Sequence, residues 1–260
     1  MKAVWILIIG LNLFSNLAFG QSHSEWESMF NGKDLSNWTS KIRGQELGMD
    51  SLETFSVKDG YIVVQYNNYE SFDDQFGLLY FENAYGSFRM QFEYQFYGDQ
   101  LFDGPSWAFK NSGVMLLSQR PESMEKNQDF PISLELQLLG NRDDKHRQET
   151  ANLCTPGTDV YLKDQRVKNH CLNANPSEVD SGQWVKVMVE VLPDRTINHY
   201  CNGVLVYSYS NPVYAKGGVS GEDSSLTNSL EGKPVKKGYI ALQSESHPIR
   251  FKNLKIQSLD

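Results

Sequence analysis

The chain has 260 residues, with 24 Lys and Arg against 32 Asp and Glu, a formal net charge of −8 and 12% aromatic residues. An acidic chain without a basic patch argues against nucleic acid and anionic membrane surfaces as partners. The length suits one large all-β domain or two small ones, and no apolar run is long enough to cross a bilayer as a helix.

The amino terminus reads as an export signal. Met1-Lys2 supplies a short positive start, residues 4–13 are apolar, and small residues at Ala18 and Gly20 mark a cut near residue 20. No cysteine stands near that point, so a lipid anchor is not expected. The expectation is a protein exported to the periplasm or secreted, with residues 21–260 as one folded unit. Removing Lys2, the only charged residue in 1–20, takes the net charge from −8 to −9.

Residues 25–38 carry the turn chemistry Asn31-Gly32 and Asp34, with Met29, Phe30, Leu35 and Trp38 able to pack beneath it. Residues 39–54 are polar with two glycines and read as a loop. Residues 55–66 form a hairpin around Asp59-Gly60. A short apolar strand over 77–80 follows, then a long one over 88–97. In the latter Met90, Phe92, Tyr94 and Phe96 alternate with Arg89, Gln91, Glu93 and Gln95. Residues 98–110, with Trp107 and Phe109, read as a loop. A strand enters at Asn111-Ser112-Gly113, and 118–131 read as polar loop.

Residues 132–141 form the central strand. Ile132, Leu134, Leu136 and Leu138 fall on one face; Ser133, Glu135 and Gln137 fall on the other. Glu135 and Gln137 therefore point the same way, about 7 Å apart at a rise of ~3.3 Å per residue. Such a strand suits the floor of a polar cleft. Residues 140–183 read as the longest irregular region. An alternating meander follows over 184–209, with Asn202-Gly203 as its second turn. Residues 210–237 read as a mobile Gly/Ser/Lys-rich loop. A strand over 238–245 is broken by His247-Pro248. Residues 249–259 close the chain as a last strand, bulged near Lys252-Asn253. Short alternating strands without a long helix or a repeat predict an all-β antiparallel sandwich with one polar face.

Cys154, Cys171 and Cys201 are the three cysteines. An exported chain permits disulfides. Cys154 and Cys171 share the irregular region and are expected to pair, worth on the order of 3 kcal/mol. Cys201 precedes the tight turn and reads as a small apolar side chain.

Three stretches taken together resemble a known family: Phe30-Asn-Gly-Lys-Asp-Leu-Ser-Asn-Trp38, then Trp184 with Asn198-His-Tyr-Cys-Asn-Gly-Val-Leu-Val206, then the run from Gly238 to Ile256 containing Gln243-Ser-Glu245. With Asn111-Ser-Gly113 and Leu134-Glu-Leu-Gln137, their ordered set is similar to the 3-keto-disaccharide hydrolase domain family. The resemblance implies a concanavalin A-like jelly roll, export from sugar-degrading bacteria and action on 3-keto-glycosides. The segment from His146 to Cys171 departs from the shorter loop associated with that family.

A ketone at C3 acidifies the C2 hydrogen, so a base can remove it and the C1 oxygen can leave by elimination. Such a site needs a base, a donor to the enolate oxygen and an acid for the leaving oxygen. Glu135 leads the catalytic candidates, followed by His199 and Glu245. Asn111, Arg120, Gln137, Gln243 and His247 are candidate hydrogen-bond partners of the sugar. Each has a plainer reading: Glu135 as an exposed strand carboxylate, His199 as a buried hydrogen-bonded histidine, His247 as part of a turn. His146 and His170 read as solvated loop residues. No cofactor is expected. Glu and His are available to a divalent cation, but no compact spacing such as His-x-x-x-His appears. No Gly-x-Ser-x-Gly, P-loop or dinucleotide fingerprint occurs either. Gln137 stands where a second acid along one strand would be expected of an ordinary two-carboxylate glycosidase. An ordinary glycoside hydrolase and a non-catalytic carbohydrate-binding module remain the alternatives, with a carbohydrate as the partner in every case.

Overall fold

The computed structural model describes residues 25–142, 148–175, 179, 182–221 and 223–260. The expected signal at 1–20 and His146 lie outside the described residues. In chain order the strands are β1 (Glu27–Ser28), β2 (Trp38–Ile42), β3 (Phe55–Lys58), β4 (Tyr61–Val64), β5 (Gly77–Phe81), β6 (Phe88–Phe96), β7 (Asn111–Ser118), β8 (Leu134–Leu139) and β9 (Asn152–Cys154). They continue as β10 (Thr158–Leu162), β11 (Gln165–Val167), β12 (Cys171–Leu172), β13 (Val185–Val191), β14 (Thr196–Cys201), β15 (Val204–Tyr214), β16 (Tyr239–Ser244) and β17 (Ile249–Ser258). A short α-helix, α1 (Ser225–Leu230), separates β15 from β16.

The strands make two antiparallel sheets. The larger runs β11-β10-β15-β14-β13-β6-β17-β4-β3, with β1 alongside β17; the smaller runs β12-β9-β8-β7-β16-β5-β2. Period-2 alternation sorts the side chains. Along β6, Phe88, Met90, Phe92, Tyr94 and Phe96 are buried, while the residues between them are half-buried. They meet Leu134, Leu136 and Leu138 of β8 and Ile240 and Leu242 of β16 in one core between the sheets. Burial of this apolar surface is the main drive to fold. Asn202 and Gly203 have φ of 49° and 84°, as a type I′ turn requires. The bulge in β17 falls between Lys252 and Lys255, with Asn253 at φ 55°.

Three stretches read as loops differ. Residues 38–42 form β2, paired with β5. Its alternation is masked by Lys41, which is buried with its ammonium donating to the Lys126 carbonyl at 3.0 Å. Within 140–183 lie β9 to β12. These strands of two to five residues are too short for a period to register, and pairing with β8 and β15 holds them in place. Cys154 on β9 stands directly opposite Cys171 on β12, and the two form a disulfide. Cys201 is buried and not disulfide-bonded. Residues 210–237 are also ordered in part. β15 runs on to Tyr214, because Pro212 lies past the last β14 pair, Thr196–Ser210, where no N–H is needed on that side.

Candidate active site

The smaller sheet turns its second face away from the core. On that face three adjacent strands bring distant residues together. Gly113 on β7 lies opposite Gln137 on β8, and Met115 lies opposite both Glu135 on β8 and Ala241 on β16. Antiparallel register then sets Gln243 beside Gly113, and Glu245 just past the end of β16. Part of this face is covered by a small apolar cluster of Leu78, Tyr80, Met115 and Met124. Beside it opens a cavity of about 390 Å³ lined by Glu135, Gln137, Asn111, Glu245, Trp107 and Phe130, together with His170 and the Cys154–Cys171 disulfide.

Glu135 and Glu245 are both buried. The Gln243 amide nitrogen donates to Glu245 Oε1 at 2.8 Å. Gly113 supplies the room. A Cβ there would sit 2.6 Å from Glu135 Oε1 and 2.9 Å from Gln243 Oε1, so any side chain would push the two apart. Burial raises the Glu135 carboxyl to about 8. Burial, and then the nearby Glu135, pushes Glu245 well above the carboxylate range. Two carboxyls held this close out of water cannot both ionise readily, so the pair retains at least one proton near neutrality.

Several polar atoms at this place find no partner among the described residues: Gln243 Oε1, Glu245 Oε2 and Asn111 Oδ1 are all buried and unsatisfied. Buried polar atoms left in this state are costly unless a ligand satisfies them. Asn111 is held by its amide nitrogen donating to the Trp107 carbonyl at 3.3 Å. Asn152 donates to Gln137 Oε1 at 3.2 Å, which leaves the Gln137 NH₂ free to donate into the cavity. The Gln100 amide donates to the Pro105 carbonyl at 2.9 Å and to Ser246 Oγ at 2.8 Å, which clamps the 98–110 loop onto the segment bearing Glu245.

The structure thus brings Glu135, Glu245, Asn111 and Gln137 together, with Gln243 supporting them. Three other candidates are elsewhere. His199 lies in the core: Nδ1 donates to the Ala151 carbonyl and Nε2 accepts from Tyr209 OH, each at 3.0 Å. Burial lowers its pKa to about 4, which keeps it neutral. His247 is buried with its ring against Phe96 and Phe109 rather than on the cavity lining, and burial lowers it to about 4. Arg120 is exposed on the surface, paired with Glu122 at 3.2 Å. Residues outside the sequence-based set also matter. His170 lines the cavity, Gly113 makes the close approach, and Trp107 and Phe130 add aromatic rings to the lining. Among the described residues no group of three or more His, Cys, Asp or Glu could hold a metal ion.

Two packed antiparallel sheets with a polar, acid-bearing cavity over one of them define a jelly-roll sandwich of the lectin and glucanase kind. The chain belongs to the 3-keto-α-glucoside-1,2-lyase-like domain family, whose model matches residues 25–257. Its function is accordingly related to carbohydrate. Among solved structures, two Parabacteroides distasonis proteins described as candidate glycosyl hydrolases are similar. One has 21% identity and a TM-score of 0.53 over 90% of this chain and 94% of its own. The other has 18% identity and a TM-score of 0.53 over 90% of this chain and 100% of its own. A Bacillus subtilis protein with a galectin-like fold reaches a TM-score of 0.51 at 10% identity, over 90% of this chain and 98% of its own. At these identities the likeness speaks for the fold. None of the curated proteins compared with the chain matches it. Among the described residues no helix is long and apolar enough to cross a membrane.

Proposed function

We propose that this protein is exported and cleaves 3-keto-glycosides by elimination across C1 and C2. The reading rests on the buried acid pair Glu135 and Glu245, with Gln243 bonded to Glu245 and Gly113 leaving room beside Glu135 and Gln243. Glu135 and Glu245 both line the cavity, and Glu135, on the strand floor with its carboxyl raised by burial to about 8, is assigned as the base. As a carboxylate it takes the C2 proton, and the C2–H electron pair forms the enolate of the C3 ketone. Burial makes it a stronger base than an ordinary carboxylate. The Gln137 NH₂ donates to the oxygen on which charge develops. Collapse of the enolate forms the C1–C2 double bond and breaks C1–O1. Glu245, still protonated, gives its proton from Oε2 to the departing oxygen. The products are an unsaturated 3-keto sugar and a free hydroxyl compound. Addition of water across the double bond would turn the outcome into net hydrolysis. A second cavity of about 410 Å³ shares Phe130, Pro156 and His170 with the first and offers room for the leaving group.

The test is turnover of a 3-keto-glucoside beside its unoxidised parent, with and without a chelator. Release of the leaving group from the keto form alone supports the proposal; sensitivity to chelator adds a cation to it. Cleavage of the parent favours an ordinary glycoside hydrolase. That second reading gains from Glu245, because the segment that follows β16, across β7 from β8, supplies the acid that Gln137 does not. Saturable binding without cleavage of either compound means a carbohydrate-binding module.

A further inference from the structure

We propose that Trp107 is the substrate-positioning residue of this cavity, presenting one indole face to the sugar ring. The inference rests on the cavity being the sugar site and adds how the ring is held there. Trp107 is 50% exposed, whereas Ala108 beside it is fully buried. A large exposed aromatic on a loop calls for an explanation when it also lines a cavity with two buried acids. Its support is aromatic. Phe76 stacks on the indole at 5.9 Å between centroids and 16° between planes, and Phe76 is itself braced edge-on by Phe72 at 5.0 Å and by a tilted Phe130 at 5.1 Å. The backbone is equally fixed. The Ala108 N–H donates to the Pro105 carbonyl at 2.9 Å, and the Asn111 amide ties the Trp107 carbonyl to β7. Gly104 lies so close to Ser246 that a Cβ would clash with its Oγ, which seats the loop flush on the Glu245 segment.

The cavity lining thus combines aromatic rings with acids and amides. A pyranose combines the same two characters, with C–H bonds on its faces and oxygens around its edge. The negative face of an indole attracts those polarised C–H groups. A ketone at C3 withdraws electrons from C2–H and C4–H and strengthens the contact. Stacking would fix the ring plane and leave the edge oxygens to Glu245 and Gln137, the kind of orientation that lowers a barrier before any bond changes.

Fluorescence titration with methyl α-D-glucoside and its 3-keto derivative, alongside turnover, tests this in wild type, Trp107→Phe and Trp107→Ala. Either ligand should blue-shift wild-type emission as the half-exposed indole is covered, and the shift should vanish in Trp107→Phe although Trp26, Trp38 and Trp184 remain. KM should rise roughly tenfold in Trp107→Ala and only a few-fold in Trp107→Phe, with unchanged melting temperatures. A shift that persists in Trp107→Phe, no shift in wild type, or an unchanged KM in Trp107→Ala would overturn the proposal. Should no keto-glycoside be cleaved, the titration still decides whether Trp107 touches sugar, so the two readings fail separately.

Discussion

Gly113→Ala is the sharpest test of the acid pair, because it adds one methyl group and removes no functional atom. The new Cβ would stand 2.6 Å from Glu135 Oε1, 2.8 Å from Glu135 Cγ and 2.9 Å from Gln243 Oε1. Ordinary contact distances would be restored only if both side chains receded by roughly 0.5–1 Å, since close-packed interiors offer no slack. All three contacts are side-chain atoms of two flexible residues rather than backbone, so the fold should adapt. Overpacking then costs about 1 kcal/mol, the low end of its usual range, and melting falls by a few degrees. The site cannot adapt in the same way. A 1 Å misplacement of a reacting group costs about 10²-fold in rate, equivalent to roughly 2.7 kcal/mol. Steady-state turnover of a 3-keto-glucoside, paired with a thermal melt, reads both effects. The expected pattern is a hundredfold loss of kcat/KM with a fold that stays intact. A variant within about threefold of wild type would refute the assignment of this contact to the chemistry.

The pH dependence should carry the mark of Glu135: kcat/KM is expected to rise with pH up to about 8 as the base ionises, and Glu135→Gln should abolish that limb along with about 10²–10⁴-fold of the rate. Stability should run the other way. Glu135 and Glu245 hold their protons more tightly folded than unfolded, so the folded state binds more protons between the ordinary carboxyl range and about pH 8. Melting temperature should fall as pH rises through that window, and Glu245→Gln should flatten the decline; a flat wild-type profile would contradict the burial argument. Reduction of Cys154–Cys171 opens the disulfide to two thiols, and release of its 17-residue loop should lower stability by about 3 kcal/mol and loosen the cavity wall, measured as lost melting temperature and raised KM. Arg120→Ala removes an exposed pair and should leave melting and turnover unchanged; a tenfold change in either would mean that this surface takes part in the site.

The long strands were legible in the sequence because alternation is a local property. β6, β8, β13 and the β14–β15 turn all follow from it. The polar face of β8, and Glu135 on it, were legible for the same reason. What alternation does not encode is which strands become neighbours. Glu245 meets Glu135 because β16 and β8 flank β7, a relation fixed by packing across more than a hundred residues of chain. His199 shows the converse limit. Its parity with Ile197 and Cys201 indicated a buried face, yet a polar side chain on such a face reads alike as ligand or core until its partners, Ala151 and Tyr209, are seen. Gly113 carried a signal in the Asn111-Ser112-Gly113 entry to its strand. Its φ is not in the left-handed region, and its real constraint is the oxygen atoms facing it.

The place of β16 and β17 in the sheets bears on how the protein is made. β16 lies between β7 and β5, and β17 between β6 and β4. Residues 239–258 thus supply an interior strand to each layer, and without them both layers are split into unpaired edges. During synthesis, more than two hundred residues must leave the ribosome before either layer can close, and the pairings that finish them span most of the chain. Such high contact order makes folding slow and leaves open edges that attract other strands in the meantime. A nascent chain of this kind depends on being kept apart from its neighbours until the last two strands arrive. Truncation within them would leave open sheets prone to aggregate, rather than a smaller version of the same fold.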